Sequence, residues 1–513
     1  MITRSIFPNV EIPDVTVPEL VLGGVEGNGD APAIVDGATN RVVSRSELAR
    51  SAAGFATALR RLGIRPDDVV ALHLPNGPAF AAAFHGVLLA GAIVTTVNPL
   101  YTAEELGHQL ADSAAKVLVT ADALLATAEP AASKAGDLTL VVVGEAPQGA
   151  LAFDDLLATK PRLEEDPRDP HSALAVLPYS SGTTGLPKGV ELTHRNLVAN
   201  LCQSQPFLQI EPWDRVVAVL PFFHIYGMVV VLNLGLWQGA RVVTLPRFDL
   251  AQFLGVIEQQ RITRAFVVPP IALALAHDPS VDEHDLSSLR MVLSGAAPLS
   301  PEVAATIERR LGCGVAQGYG LTETSPVTHL SSLQPGGNRH DAVGLVVPNT
   351  EAAIRHPDGT MAGIGEEGEL VVRGPQVMRG YLGRPDETAN TIDDDGWLRT
   401  GDLAVRDEDG RFRIVDRLKE LIKYKGFQVP PAELEALLLE HEGVADCAVV
   451  GVPDAEAGEL PKAVVVAAGE LDPEDLMAWV AERVAPHKRV RQVEFVDRIP
   501  KSASGKILRR ELR

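Results

Sequence analysis

Short apolar runs alternate with stretches of helical period through most of the chain, a pattern that predicts α/β layers rather than a helix bundle or a β-sandwich. Val69-Val-Ala-Leu-His-Leu74, Leu174 to Leu177 and Arg290-Met-Val-Leu-Ser-Gly295 read as buried strands, and the last leads into a helix from about Pro301 to Leu311. From Gly344 the texture changes. Asp358-Gly, Asp395-Gly and Asp409-Gly turns punctuate Glu369-Leu-Val-Val-Arg373 and Arg411-Phe-Arg-Ile-Val415, which predicts a small antiparallel β subdomain over about residues 344–415. The last stretch restarts a compact unit. Leu434, Leu437 and Leu438 share one helix face there, with strands expected at Cys447 to Val452 and Ala463 to Val466, and the texture breaks near Asp416 to Lys419.

At 513 residues the chain exceeds what one core usually supports, so at least two domains are expected. Its 46% apolar and 22% charged residues are those of a globular protein and exclude general disorder. A formal net charge of -21 argues against a nucleic-acid binder, which needs a basic face. No apolar run is long enough to span a bilayer, and Met1-Ile-Thr-Arg-Ser-Ile-Phe-Pro8 lacks a secretory h-region, so no membrane partner and a cytoplasmic location are expected. Cys202, Cys313 and Cys447 show no CxxC spacing, which indicates neither a disulfide framework nor a zinc site.

Three segments carry the chemistry: Pro178-Tyr-Ser-Ser-Gly-Thr-Thr-Gly-Leu-Pro-Lys-Gly189, Gln317-Gly-Tyr-Gly-Leu-Thr-Glu323 and Pro500-Lys-Ser-Ala-Ser-Gly-Lys506. In the first, hydroxyls and unhindered amides follow a buried strand and can wrap a polyphosphate. It is not a Walker A loop, because Pro187 stands where the second glycine is required. Taken alone, such a run is also an ordinary Gly/Ser-rich turn, and the basic tail Lys501, Lys506, Arg509, Arg510, Arg513 is also an ordinary solvated one.

Together the three segments identify the chain as a member of the acyl-CoA synthetase, adenylation-domain and luciferase superfamily of adenylate-forming enzymes, in which it most resembles the 4-coumarate–CoA ligases over nearly its full length. The resemblance implies a large N-terminal domain, residues 1–417, and a small mobile α+β C-terminal domain, residues 418–513, with the active site between them. It implies two half-reactions: a carboxylate and MgATP give acyl-adenylate and pyrophosphate, then the thiol of coenzyme A displaces AMP. Ser180, Ser181, Gly182, Thr183, Thr184 and Lys188 map onto the phosphate loop of that family, with Thr184 among its catalytic positions. Ala296, Gln317 and Gly318 map onto the adenine pocket, with Tyr319 along the base and Thr322 on phosphate. Glu323 is implied as the Mg²⁺ ligand, a hard oxygen suited to a small divalent ion. Asp402, in Gly396-Trp-Leu-Arg-Thr-Gly-Asp-Leu403, maps onto the carboxylate that takes both ribose hydroxyls, and Arg417 onto a ribose-contacting arginine.

Attack of one anion on another makes catalysis a matter of alignment and charge neutralisation, for which lysines and magnesium are the natural tools. Lys506 is implied as the cation bridging the carboxylate and the α-phosphate, a point charge that needs no proton transfer. Lys419 maps onto the hinge. Lys423, Lys425 and Gly426 map onto residues that act after rotation of the C-terminal domain, Lys423 also among the nucleotide and catalytic positions, with Gly426 leaving room for the pantetheine arm and Arg247 near the CoA phosphates. His224, in Leu220-Pro-Phe-Phe-His-Ile-Tyr-Gly227, reads on its own as a core histidine, while the resemblance implies a gate at the carboxylate.

The acyl pocket is expected from Tyr226, Gly227, Val230, His277, Gly295, Gly318, Pro326 and Val327, with small residues opposite aromatic ones suiting a flat ring. Val230 and His277 stand where the plant enzymes often have serine and lysine, which removes polar partners from the end where a ring hydroxyl would lie. Cinnamate is therefore expected beside 4-coumarate. The competing readings are a medium-chain fatty or other aryl acid–CoA ligase, a luciferase-type oxidase, a carrier-protein-charging enzyme and a non-catalytic nucleotide-binding module. The C-terminus Glu511-Leu-Arg513 lacks a peroxisomal tripeptide, which weighs against the luciferase-like reading. A monomer or weak homodimer is expected.

Overall fold

The computed structural model describes residues 1–25, 29–136, 138–163, 168–180, 187–332, 339–425, 427–454, 457–502 and 505–512. Ser181, Gly182, Thr183, Thr184 and Gly426 lie outside the described residues. Two nine-stranded sheets form the bulk of the molecule. The first runs Tyr179–Ser180, Lys188–Thr193, Leu174–Val176, Ile93–Thr96, Val69–His73, Ala115–Ala121, Thr139–Val143, Leu151–Ala152, with Gly380–Tyr381 added beside Lys188–Thr193. The second runs Leu345–Val346, Val327–Leu330, Gly314–Gly320, Met291–Ser294, Arg264–Val267, Arg215–Ala218, Arg241–Thr244, Pro32–Asp36, Val42–Ser44. Their central strands pair in parallel, which requires cover on both faces, and Val69–His73 is buried at every position. Helices supply that cover. Arg45–Arg61, capped by Ser44, buries Leu48, Phe55 and Leu59, while Pro78–Leu89 buries Phe80 and Phe84 in the same continuous core.

The Asp-Gly-punctuated region folds as expected into an antiparallel sheet of Glu351–Arg355, Glu367–Arg373, Leu398–Arg406 and Phe412–Arg417. It also takes in Thr3–Arg4, which pairs with Ala352 and Glu351 from the other end of the chain. Beyond Arg417 a turn leads to Ile422–Tyr424, the first strand of a separate five-stranded sheet with Phe427–Val429, Val444–Asp454, Gly458–Ala467 and Gln492–Phe495. The helix Pro431–Leu438 lays Leu434 and Leu438 on this sheet, with Leu437 partly buried, and a small core of its own results. Among the described residues no helix is long and apolar enough to cross a membrane.

Candidate active site

The expected residues gather beyond the carboxyl ends of the parallel strands of the second sheet, where open α/β sheets form their crevices. Met291–Ser294 delivers Gly295 and Ala296, and Gly314–Gly320 delivers Gln317, Gly318 and Tyr319 alongside, with Ser294 opposite Gln317. Ala296 has φ 70°, a left-handed conformation uncommon for a side-chain-bearing residue. The Gln317 amide ties this edge together: its Oε1 accepts from Leu299 N at 3.3 Å and its Nε2 donates to His340 O at 2.6 Å.

Asp402 approaches the same edge from the antiparallel sheet. Gly401 precedes it within the strand at φ 71°, a left-handed conformation that favours glycine, and Asp402 itself is 2% exposed. Tyr319 donates its hydroxyl to Asp402 Oδ2 at 2.6 Å. Arg417 Nε lies 3.0 Å from Oδ1, but without the alignment of a hydrogen bond, so Oδ1 is buried and has no bonded partner. Burial pushes the Asp402 carboxyl up despite the opposing pull of Arg417, the Tyr319 bond and Lys506. A buried acceptor of this kind is costly unless something donates to it, and a ribose hydroxyl is a donor of the right kind.

Lys506 reaches this group from the C-terminal tail. Gly505, at φ 79°, folds the tail so tightly that a Cβ there would lie 3.1 Å from Val268 Cγ2, at the end of Arg264–Val267. Ser502 N donates to Lys506 O at 2.8 Å, and Lys506 N to Ser502 Oγ at 3.1 Å, closing a small loop that presents the side chain. Burial and the neighbouring Arg417 lower the Lys506 pKa, while Glu420 and Asp402 oppose the shift. A carboxylate or phosphate would restore the balance.

Of the phosphate loop, both ends are placed. Ser180 and Lys188 sit opposite each other on paired strands. Ser180 Oγ and Tyr381 Oη both donate to Glu323 Oε1, at 3.0 and 2.9 Å, which links the loop to the half-buried Thr322 and Glu323. Lys188 forms an ion pair with Glu387 and lies 5.2 Å from the centre of the Tyr381 ring. Sequence reasoning missed both partners. Burial lowers the Lys188 pKa, and Lys419 and Arg384 add like charge. Among the described residues no cluster of three or more His, Cys, Asp or Glu is poised for a metal.

The acyl wall is apolar. Tyr226 opens a π-helix, Tyr226–Asn233, that carries the buried Val230, and its hydroxyl donates to Leu293 O at 3.2 Å. A Cβ on Gly295 would meet the Tyr226 ring at 2.9 Å, and one on Gly227 would meet the Pro221 carbonyl oxygen. Gly318 faces Leu330 and Leu293, and Pro326 and Val327 are buried. His224 is half-buried, its Nδ1 accepting from Tyr226 N at 3.3 Å; burial lowers its pKa to about 4, so the imidazole is neutral at pH 7.

Several expected residues lie outside this cluster. His277 is exposed at the end of the helix Pro269–His277, whose buried face is Ile271, Ala272, Leu275 and Ala276, so it is not part of the buried wall. Lys423 and Lys425 are exposed on the Ile422–Tyr424 hairpin. Asp402 meets Tyr319 through one oxygen, which sequence alone did not reveal. Arg247 is exposed beyond Arg241–Thr244, and Lys419 lies in the turn after Arg417.

The AMP-binding enzyme family matches residues 24–382, and the AMP-binding enzyme C-terminal domain matches residues 433–506. A 4-coumarate–CoA ligase-like 9 of Oryza sativa subsp. japonica is 46% identical over 532 residues, covering 99% of this chain and 94% of that protein. A 4-coumarate–CoA ligase 2 of Nicotiana tabacum is 41% identical, covering 100% and 97%. Among solved structures, the anthranilate CoA ligase AuaEII in complex with anthranoyl-AMP superimposes with a TM-score of 0.90 at 27% identity, covering 98% of this chain and 97% of that one.

Proposed function

The chain belongs to the AMP-binding enzyme family, on its 4-coumarate–CoA ligase side, and we propose that its acid is an arylpropenoate, 4-coumarate or cinnamate. As an ATP-dependent acid–CoA ligase it works in two steps. A carboxylate oxygen attacks the α-phosphorus and the bond to pyrophosphate breaks; the CoA thiol then attacks the acyl carbon and the bond to AMP breaks.

What supports the reading is the Asp402–Arg417 pair bonded to Tyr319, together with the tail of Lys506 folded against Val268 at the end of the second sheet. The free Asp402 Oδ1 takes a ribose hydroxyl, Tyr319 and Gln317 frame the base, and Ser180, Thr322 and Lys188 hold phosphate, with Ser181 to Thr184 contributed by the loop between. Lys506, short of a counter-charge, binds the reacting carboxylate and the α-phosphate and aligns them. Glu323 would hold Mg²⁺, which would supply further charge neutralisation on the phosphates. Neutral His224 orients the carboxylate without repelling Lys506. For the second step the C-terminal unit turns about Lys419, withdrawing Lys506 and bringing Lys423, Lys425 and Gly426 to the site, with Arg247 on the CoA phosphates. The enzyme acts as a monomer or weak homodimer in the cytoplasm.

Val230 carries the substrate choice. An apolar pocket end discriminates little between a hydroxylated and a bare ring, so cinnamate and 4-coumarate should differ in kcat/KM by less than about tenfold, roughly 1.4 kcal/mol. The test is CoA-dependent AMP formation across a panel of these acids and octanoate. Preference for octanoate by more than about tenfold would remove the arylpropenoate reading, since an aliphatic pocket gains about 0.8 kcal/mol per methylene.

A further inference from the structure

Asp416 lies one residue before Arg417 at the end of its strand, on the large-unit side of the turn that contains Lys419, and is 5% exposed. Its Oδ2 accepts from Ala432 N at 2.9 Å, and its Oδ1 from Arg417 N at 2.7 Å. Ala432 belongs to the other side of the turn. It is the second residue of the helix Pro431–Leu438, which starts on two prolines, Pro430 and Pro431, and has no side-chain cap at Pro430. Prolines carry no N–H, so the amide of Ala432 is the first donor that this helix offers. An anionic acceptor is favoured there by the helix dipole.

The same helix leads to the tail. Glu435 accepts from Arg509 Nη2 at 2.7 Å on each oxygen and from Val449 N at 2.8 Å, while Arg509 Nη1 donates to Glu420 Oε2 at 2.8 Å. Arg509 stands just beyond Lys506 in sequence, and Glu420 is the residue after Lys419. Helix, tail and the far side of the turn are therefore one tied body, and Asp416 joins that body to the strand that carries Arg417.

We propose that Asp416 is a positioning residue for adenylation: by capping the helix Pro431–Leu438 across the hinge it holds the C-terminal unit, and so Lys506, in the arrangement in which the tail packs against Val268 of the large unit. It touches no substrate. Rotation about Lys419 separates Asp416 from Ala432, so the latch acts in the first half-reaction and is open in the second. This rests on the two-position reading given above.

The test uses the full-length enzyme and the panel acid that is turned over fastest. Asp416→Ala and the isosteric Asp416→Asn, which tolerates the same packing, are assayed for ATP–pyrophosphate exchange and, separately, for thioester formation from presynthesised acyl-AMP. Adenylation is expected to fall by about tenfold to a hundredfold, the loss typical of a displaced catalytic group, with the thioester step unchanged. Hydrogen exchange at Ala432 is expected to speed up in Asp416→Asn. Lys506→Ala is run beside them. If Lys506→Ala is selective for adenylation while the Asp416 variants lose both half-reactions together, or neither, the latch is wrong and the two-position reading stands. If Lys506→Ala itself slows both half-reactions equally, the two-position reading falls and takes the latch with it.

Discussion

The two ends of the crevice are built in opposite ways. At the nucleotide end the groups are charged and come from distant segments: Asp402, Arg417 and Lys506 are held by ion pairs, a hinge-side turn and a folded tail. At the acyl end Tyr226, Val230, Gly295 and Val327 are apolar or small, come from the large unit alone and sit in its continuous core. In the proposed two-position cycle, charge at one end is removed by moving one body, whereas the shape of the other end persists. An enzyme that must neutralise phosphate in one step and admit a thiol in the next has reason to keep its mobile parts at the charged end.

The sharpest way to break the contrast is to remove the mobile charge. Lys506→Ala is expected to slow adenylation by roughly 10²- to 10³-fold, as loss of one transition-state donor does, and to spare thioester formation from presynthesised acyl-AMP. Single-turnover assays of each half-reaction decide it. Next in size is restraint of the hinge. Lys419→Pro fixes φ near about -65° and removes an amide donor, so thioester formation is expected to slow by about tenfold or more while adenylation remains measurable. Wild-type overall turnover in that variant would show that the pivot lies elsewhere. The smallest effect belongs to the fixed end. Val230→Ser is expected to tilt kcat/KM toward 4-coumarate over cinnamate by the worth of one neutral hydrogen bond, about 0.5–1.5 kcal/mol. An unchanged ratio in competition assays would place the ring hydroxyl away from Val230.

Local signals made much of this legible. Buried strands such as Val69–His73 and Met291–Ser294 announce themselves as apolar runs, and the helix Pro301–Leu311 by its period. Of the motif residues, Tyr319 and Asp402 come within hydrogen-bond distance. What could not be read is pairing between remote segments: Thr3–Arg4 with Glu351–Arg355, Gly380–Tyr381 with Lys188–Thr193, or Lys188 with Glu387. Such contacts follow from the assembled topology and leave no periodicity in the chain. The side of the helix Pro269–His277 that its last residue occupies is likewise hidden in the sequence, and His277 is exposed. The buried Asp416 and the half-buried Glu420, Glu435 and Arg509 had a faint signal, two acids flanking the hinge lysine and an arginine just past the tail lysine, but only the fold brings them together.

An acyl-adenylate is an acylating agent, and the most dangerous acceptors for it are the enzyme's own sulfur atoms. The thiolate is the reactive form of cysteine, so what matters is how much of it exists and whether it is reachable. Cys202, Cys313 and Cys447 are all buried. Burial pushes the first two thiols up to about 11 and the third well above its ordinary range, leaving almost no thiolate near neutrality. A catalyst whose second substrate is a thiol thus keeps its own thiols silent, and the activated acyl group is protected from self-modification until the incoming sulfur arrives.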